Sequence, residues 1–207
     1  MIEFAVALAL WLLILSASGT VATLVAERWA KKAGFAMQLT MFFLSLAVIE
    51  LMGGPGKFGL GVSFRYVLQA FFLGFGASLI INLLEGNPSV PMEEFMSEGV
   101  ERLVLLLILA PLGEEVFTRG LIAGYLLGYG HFWNAILFSA LLFALPHWMA
   151  YEGSKKRKIV AVGGAFVLGS LAGYLFALGG IIPAIVLHSS ANLAGLIVLR
   201  FKEKNGN

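Results

Sequence analysis

Residues 103–127 read LVLLLILAPLGEEVFTRGLIAGYLL, a run long and apolar enough to cross a bilayer that nevertheless holds Glu114, Glu115 and Arg119. A spanning helix needs about 20 predominantly apolar residues. On insertion scales an ionised group at mid-helix costs ~2.5–3.5 kcal/mol, so three approach about 10 kcal/mol before pairing. Glu115 and Arg119 are spaced i,i+4, so they share a helical face and can form an ion pair that offsets much of this penalty. Glu114 is turned about 100° away and has no partner in its own helix. That unpaired acid needs a reason to be there.

Composition agrees that the surroundings are lipid. The chain of 207 residues is 59% hydrophobic and 13% charged, with a mean hydropathy of +0.91. Soluble domains carry about 25% charged residues, so a water-facing surface cannot be built from this supply. All twelve acidic residues are Glu, and the absence of Cys excludes disulfides, thiolate metal sites and a Cys nucleophile. A net charge of +2 gives no reason to expect nucleic acid as a partner.

Working outward, seven segments meet or approach spanning length: 4–26, 34–53, 66–84, 103–127, 132–151, 159–178 and 181–199. Backbone amides in lipid must be satisfied within their own element, which predicts an all-α bundle of about seven transmembrane helices. The first run is uncharged from Phe4 to Ala26 and lacks a preceding Lys or Arg, so a retained span is expected and not a cleaved signal peptide. Breaker chemistry marks the joints at Gly53-Gly54-Pro55-Gly56, Asn87-Pro88-Ser89 and Gly179-Gly180.

With the N-terminus outside, the inner loops hold Arg28, Lys31, Lys32, Arg102, Lys155, Lys156, Arg157, Lys158, Arg200, Lys202 and Lys204. The outer loops hold Lys57 and Arg65. Eleven against two predicts an N-out, C-in topology. Trp29, Trp133 and Trp148 fall near span ends as an aromatic belt requires, and Trp11 does not.

The chain divides into N-terminal spans with an acidic connector (1–102), a helical core (103–199) and a basic cytoplasmic tail (200–207), all within one membrane unit. The stretch from Glu85 to Arg102, with five Glu, reads as an interfacial amphipathic helix or a loop. Gly120, Gly124 and Gly128, and again Gly169 and Gly173, recur every four residues and predict close packing.

Three more polar residues fall in spans that can surround Glu114. His147 closes Phe143-Ala-Leu-Pro-His147, and His188 and Asn192 share a face in His188-Ser-Ser-Ala-Asn192. Glu114 and His188 lie roughly 16 Å from the cytoplasmic ends of their spans, at 1.5 Å per residue, and His147 is shallower. A Glu beside a His in a dry site can activate water as a general base, and a His with an Asn amide can donate to an oxyanion. Glu114, His147 and His188 also match the donor types of an open zinc site, without the tight spacing of HExxH. His131 falls at an outer loop with no role, and Ser189 and Ser190 can bond back to their own helix.

Glu114-Glu115-x-x-x-Arg119, Phe143-x-x-x-His147 and His188-x-x-x-Asn192, in this order on separate helices, resemble the CPBP (ABI) family of intramembrane proteases, which includes the type II CAAX prenyl endopeptidases. The resemblance covers about residues 103 to 199. It implies peptide-bond hydrolysis in or near the membrane, from a cavity open to the cytoplasm. By position, Glu114 and His147 would activate the water, His188 and Asn192 would stabilise the oxyanion, and Glu115 and Arg119 would order the site. Thr118 stands where members often place Phe, with Phe117 before it, a small change on a packing position. No cofactor is expected, with a divalent metal such as zinc the open alternative.

The expected partners are membrane lipid and a membrane-anchored or lipidated peptide substrate, and the expected location is the plasma membrane of a prokaryote. A non-catalytic membrane scaffold or immunity protein, and a proton-coupled transporter, are the competing readings. Against the transporter, no pair of broken helices in matching halves is visible.

Overall fold

The structure is a computed structural model that describes residues 1–85, 98–150 and 154–204, and every regular element among them is helical. α1 (Ile2–Trp29) and α2 (Ala33–Leu51) form a hairpin, turned by the 3₁₀ segment Ala30–Lys32 after a non-helical Trp29 at φ −143°, ψ 72°. α3 (Val67–Glu85) follows a glycine-rich loop. Residues 99–128 are one broken helix: α4 (Gly99–Val104), a π segment at Leu105–Leu109, α5 (Ala110–Glu115), a second π segment at Val116–Ala123, and α6 (Gly124–Gly128). Then come α7 (Phe132–Ala144), the short α8 (His147–Ala150), α9 (Lys155–Gly179) and α10 (Ile181–Lys204). Of the acidic connector, residues 86–97 lie outside the described residues, as do 205–207 of the tail.

The charged stretch lies at the centre of the bundle. Every residue from Glu115 to Gly124 is buried, the all-round burial expected of a helix enclosed by others. The outer surface is apolar, with Leu13, Phe43, Phe72 and Ile80 each at least 60% exposed. Such a surface suits lipid and not water. Trp29, Trp133 and Trp148 are exposed, and Trp11 is a core residue, which is why it stands away from the belt.

Charges collect at one end of the bundle. Lys31 pairs with Glu98, and Lys32 with Glu101 at 2.6 Å, which sets the α1–α2 turn beside the start of α4. The Lys31 ammonium holds the Glu98 carboxyl below its ordinary range, through its hydrogen bond first and its charge second. At the opposite end the 52–66 loop dips into the bundle. Phe58 is 2% exposed, Leu60 lies over Gly120, and Ile181 N–H donates to Gly61 O at 3.3 Å. Gly124 is required there, because a Cβ would collide with the Phe58 carbonyl. Its glycine spacing therefore serves close packing, against a loop and not a helix.

By length and composition, four helices among the described residues qualify as spans: 2–51 taken as one, Phe132–Ala150, Lys155–Gly179 and Ile181–Lys202. Val67–Leu83 is a shorter apolar helix. The difference from the seven sequence segments has three sources. α1 and α2 are joined by a helical turn, α3 is just short, and the 99–128 helix is divided by its π segments.

α3 packs along α10. A Cβ on Gly74 would collide with Leu187 O, and Ser78 Oγ donates to Ala191 O at 2.8 Å. Gly76, half a turn on, has nothing within 4 Å of its Cβ position. Gly74→Ala should therefore lower stability by about 1–3 kcal/mol through overpacking, and Gly76→Ala should not. Thermal melts of the two variants in detergent check this.

Candidate active site

Glu115 gathers the site. Its side chain is 1% exposed, and its Oε1 accepts from Arg119 Nη1 at 3.0 Å and from His188 Nδ1 at 2.8 Å. The same guanidinium donates from Nη1 to Thr118 Oγ1 at 2.6 Å and from Nη2 to the Gly169 carbonyl at 2.9 Å. It also lies 4.5 Å over the Phe143 ring, a cation–π contact in a dry setting. Arg119 thus ties the central helix to α7 and α9. Gly169 must be glycine for this, because a Cβ would sit 2.9 Å from Nη2. Thr118, read from the sequence as a packing position, is a polar link: its Oγ1 accepts from Arg119 and donates to Glu114 O at 2.6 Å.

Glu114 is in a different environment. Its side chain is 23% exposed and its Oε1 accepts from Gln38 Nε2 of α2 at 2.8 Å. Its Oε2 lies 3.9 Å from His188 Nε2. The sequence directs Glu114 to His147; the structure also gives it Gln38 and His188 as neighbours. Adjacent carboxylates have thus been given opposite surroundings, one enclosed and charge-paired, the other open on one side.

Two prolines shape the rest. Pro111 has no N–H, and Ala110 N–H goes to Leu105 O, so neither backbone donor serves Leu106 O. Asn192 Nδ2 donates to that carbonyl at 2.7 Å. One amide proton is therefore committed to backbone, and the second is the one left for an oxyanion. Pro146 ends α7, and His147 opens α8 with Nδ1 3.0 Å from Phe143 O. A carbonyl can only accept, so Nδ1 carries the proton and Nε2 is the basic nitrogen of neutral His147. By the same logic His188 is protonated at Nδ1, toward Glu115.

The Phe143 ring lies among these groups, 5.0 Å from the His147 ring and 5.5 Å, edge-on, from that of His188. A cavity of about 190 Å³ is lined by Glu115, Arg119, His147, His188 and Asn192, together with Ser78 and Asn82 of α3. Glu114 is not on its wall and meets the set through His188. The cavity reaches from Arg102, Ala161 and Leu199, toward the lysine-rich end, inward to Ala172 and Leu187.

Among the described residues no three His, Cys, Asp or Glu side chains converge as a metal-binding group, the set Glu114, His147 and His188 included. His131 packs at 5.1 Å on the Phe4 ring, and Ser190 Oγ bonds back to Leu187 O at 2.9 Å. Gln38, Ser78 and Asn82 were not singled out from the sequence. An amide inside an otherwise apolar helix was the available signal for Gln38.

Fold and site together define an integral membrane helical bundle with Glu115 and two histidines on the wall of an interior cavity and a second carboxylate, Glu114, beside His188. Residues 97–194, a little under half of the chain, match the family described as Type II CAAX prenyl endopeptidase Rce1-like, and this stretch is similar to that family. Neither the curated proteins nor the solved structures gave a match.

Removing Arg119 would leave the buried Glu115 with His188 alone against its charge. Arg119→Met should lower stability by about 3–5 kcal/mol. Asn192→Ala, which orphans Leu106 O, should cost about 1–3 kcal/mol. Melting of both variants beside Ser189→Ala, expected to be near neutral, tests the assignment.

Proposed function

We propose that the protein is an intramembrane endopeptidase that hydrolyses a peptide bond of a membrane-anchored or lipidated substrate. The observation that carries this reading is the split between the two carboxylates. Glu115 is held as a fixed anion by Arg119 and His188, and Glu114 keeps Oε2 toward His188 with solvent access. A site with one structural and one available carboxylate is suited to general-base catalysis.

In this reading Glu114, assisted by Nε2 of His147, takes a proton from water as its oxygen attacks the scissile carbonyl. His188 carries a proton at Nδ1 toward Glu115. It donates from Nε2 to the oxyanion as the imidazolium. The second N–H of Asn192 is the other donor. When the tetrahedral intermediate collapses, the C–N bond breaks and the proton on Glu114 passes to the leaving amine. In this route the protein groups act without a metal.

Seven spans with the N-terminus outside and the lysine-rich end in the cytoplasm fit the charge segregation and the course of the cavity. The substrate would then enter from the cytoplasmic half of the membrane.

Purified protein in detergent, given a mixed library of membrane-anchored and prenylated peptides, should cleave at least one class. Glu114→Gln should lower kcat by about 10²–10⁴-fold with the melting temperature retained. A folded wild-type protein that cleaves nothing would support a scaffold instead. Cleavage should persist in a strong chelator, and loss restored only by zinc would overturn the metal-free route.

A further inference from the structure

We infer that Gln38, in the second helix and outside the stretch that matches the protease family, is the positioning residue for Glu114. The inference rests on the reading of Glu114 as the base and extends the site to α2.

Gln38 is 9% exposed, within the apolar run of α2. Its Nε2 donates to Glu114 Oε1 at 2.8 Å. Its other amide atom, Oε1, is buried with no hydrogen-bond partner among the described residues. An amide that served only to join two helices would gain by satisfying both ends. Here a buried acceptor is left unmade, an arrangement that costs stability and is characteristic of functional sites.

The central helix is shaped to receive the contact. A Cβ on Gly113, the residue before Glu114, would lie 2.6 Å from Gln38 Oε1 and 2.8 Å from Gln38 O. Glycine at that position is what lets α2 come close enough for the amide to reach the carboxylate.

The chemical consequence is a choice of oxygen. With Oε1 held by the Gln38 amide, Glu114 presents Oε2, the oxygen 3.9 Å from His188 Nε2, as the proton acceptor. Without Gln38 the carboxylate can rotate, and the base no longer has a fixed direction. Supporting partners of this kind are worth about 10–100-fold in activity.

The test uses the full chain in detergent on whichever library peptide the wild type cleaves. Gln38→Leu should lower kcat about 10–100-fold with KM within about twofold. Gln38→His, which keeps a ring N–H at comparable reach, should recover part of that loss. An unchanged kcat, or Leu and His variants equally impaired, would overturn the positioning role.

An infrared difference spectrum between the protein and Glu114→Gln isolates the Glu114 carboxylate stretch without any activity. Gln38→Leu, which removes the N–H and adds no charge, should shift that band. No shift means that the hydrogen bond, and the inference with it, is wrong. A shifted band in a protein that cleaves nothing sinks the reading of Glu114 as a base, and the positioning role with it.

Discussion

One oxygen, Oε1 of Glu115, receives both Arg119 and His188, and most of the interior is arranged around that junction. A buried carboxylate in a lipid-embedded bundle persists only when it is paired and hydrogen-bonded. Pairing with Arg119 alone would keep the charge within one helix. Arg119 instead extends to Gly169 O of α9 and lies on Phe143 of α7, and His188 brings in α10. Neutralising one acid therefore organises four helices. It also fixes the proton of His188 on Nδ1, so the nitrogen facing Glu114 is Nε2.

The second organising device is broken backbone. Non-helical carbonyls at membrane depth are tolerated only where protein groups satisfy them. Pro111 leaves Leu106 O without a backbone donor, and Asn192 supplies one. Pro146 interrupts α7, and His147 bonds Phe143 O from the next turn. In both places the polar side chain that satisfies the backbone also faces the cavity. The demands of lipid on the main chain and the placing of the site residues are thus met by the same contacts. The π segments belong to the same pattern, since such irregularities recur at functional sites.

The sequence made the charged centre legible because lipid makes charge expensive. Three ionisable groups in 103–127 had to be buried and partnered, and Glu115 with Arg119 stood at the spacing of an ion pair. Helical segments could be read from length and composition, and the order of the three motifs pointed to the family. Other features depend on properties that a 3.6-residue period does not carry. The π segments divide the central helix into pieces, so it no longer counts as a long apolar helix. Phe58 sits in a glycine-rich loop between helices and is nevertheless buried, because Gly124 leaves room for its backbone. Gln38 carries little signal in the sequence, because a single amide in a span is a small penalty that one interhelical hydrogen bond offsets. Thr118 passed as a packing residue because its partners, Glu114 O and Arg119, become visible only once the turn geometry is known.

The most direct test of the central junction is the protonation pattern of His188. The chain has three histidines, so ¹⁵N-histidine labelling in bilayers gives a spectrum that single substitutions can assign. The shared carboxylate predicts a protonated, hydrogen-bonded Nδ1 on His188 whose signal moves when Glu115→Gln is introduced. A His188 protonated at Nε2 alone, or a signal indifferent to Glu115→Gln, would contradict the account.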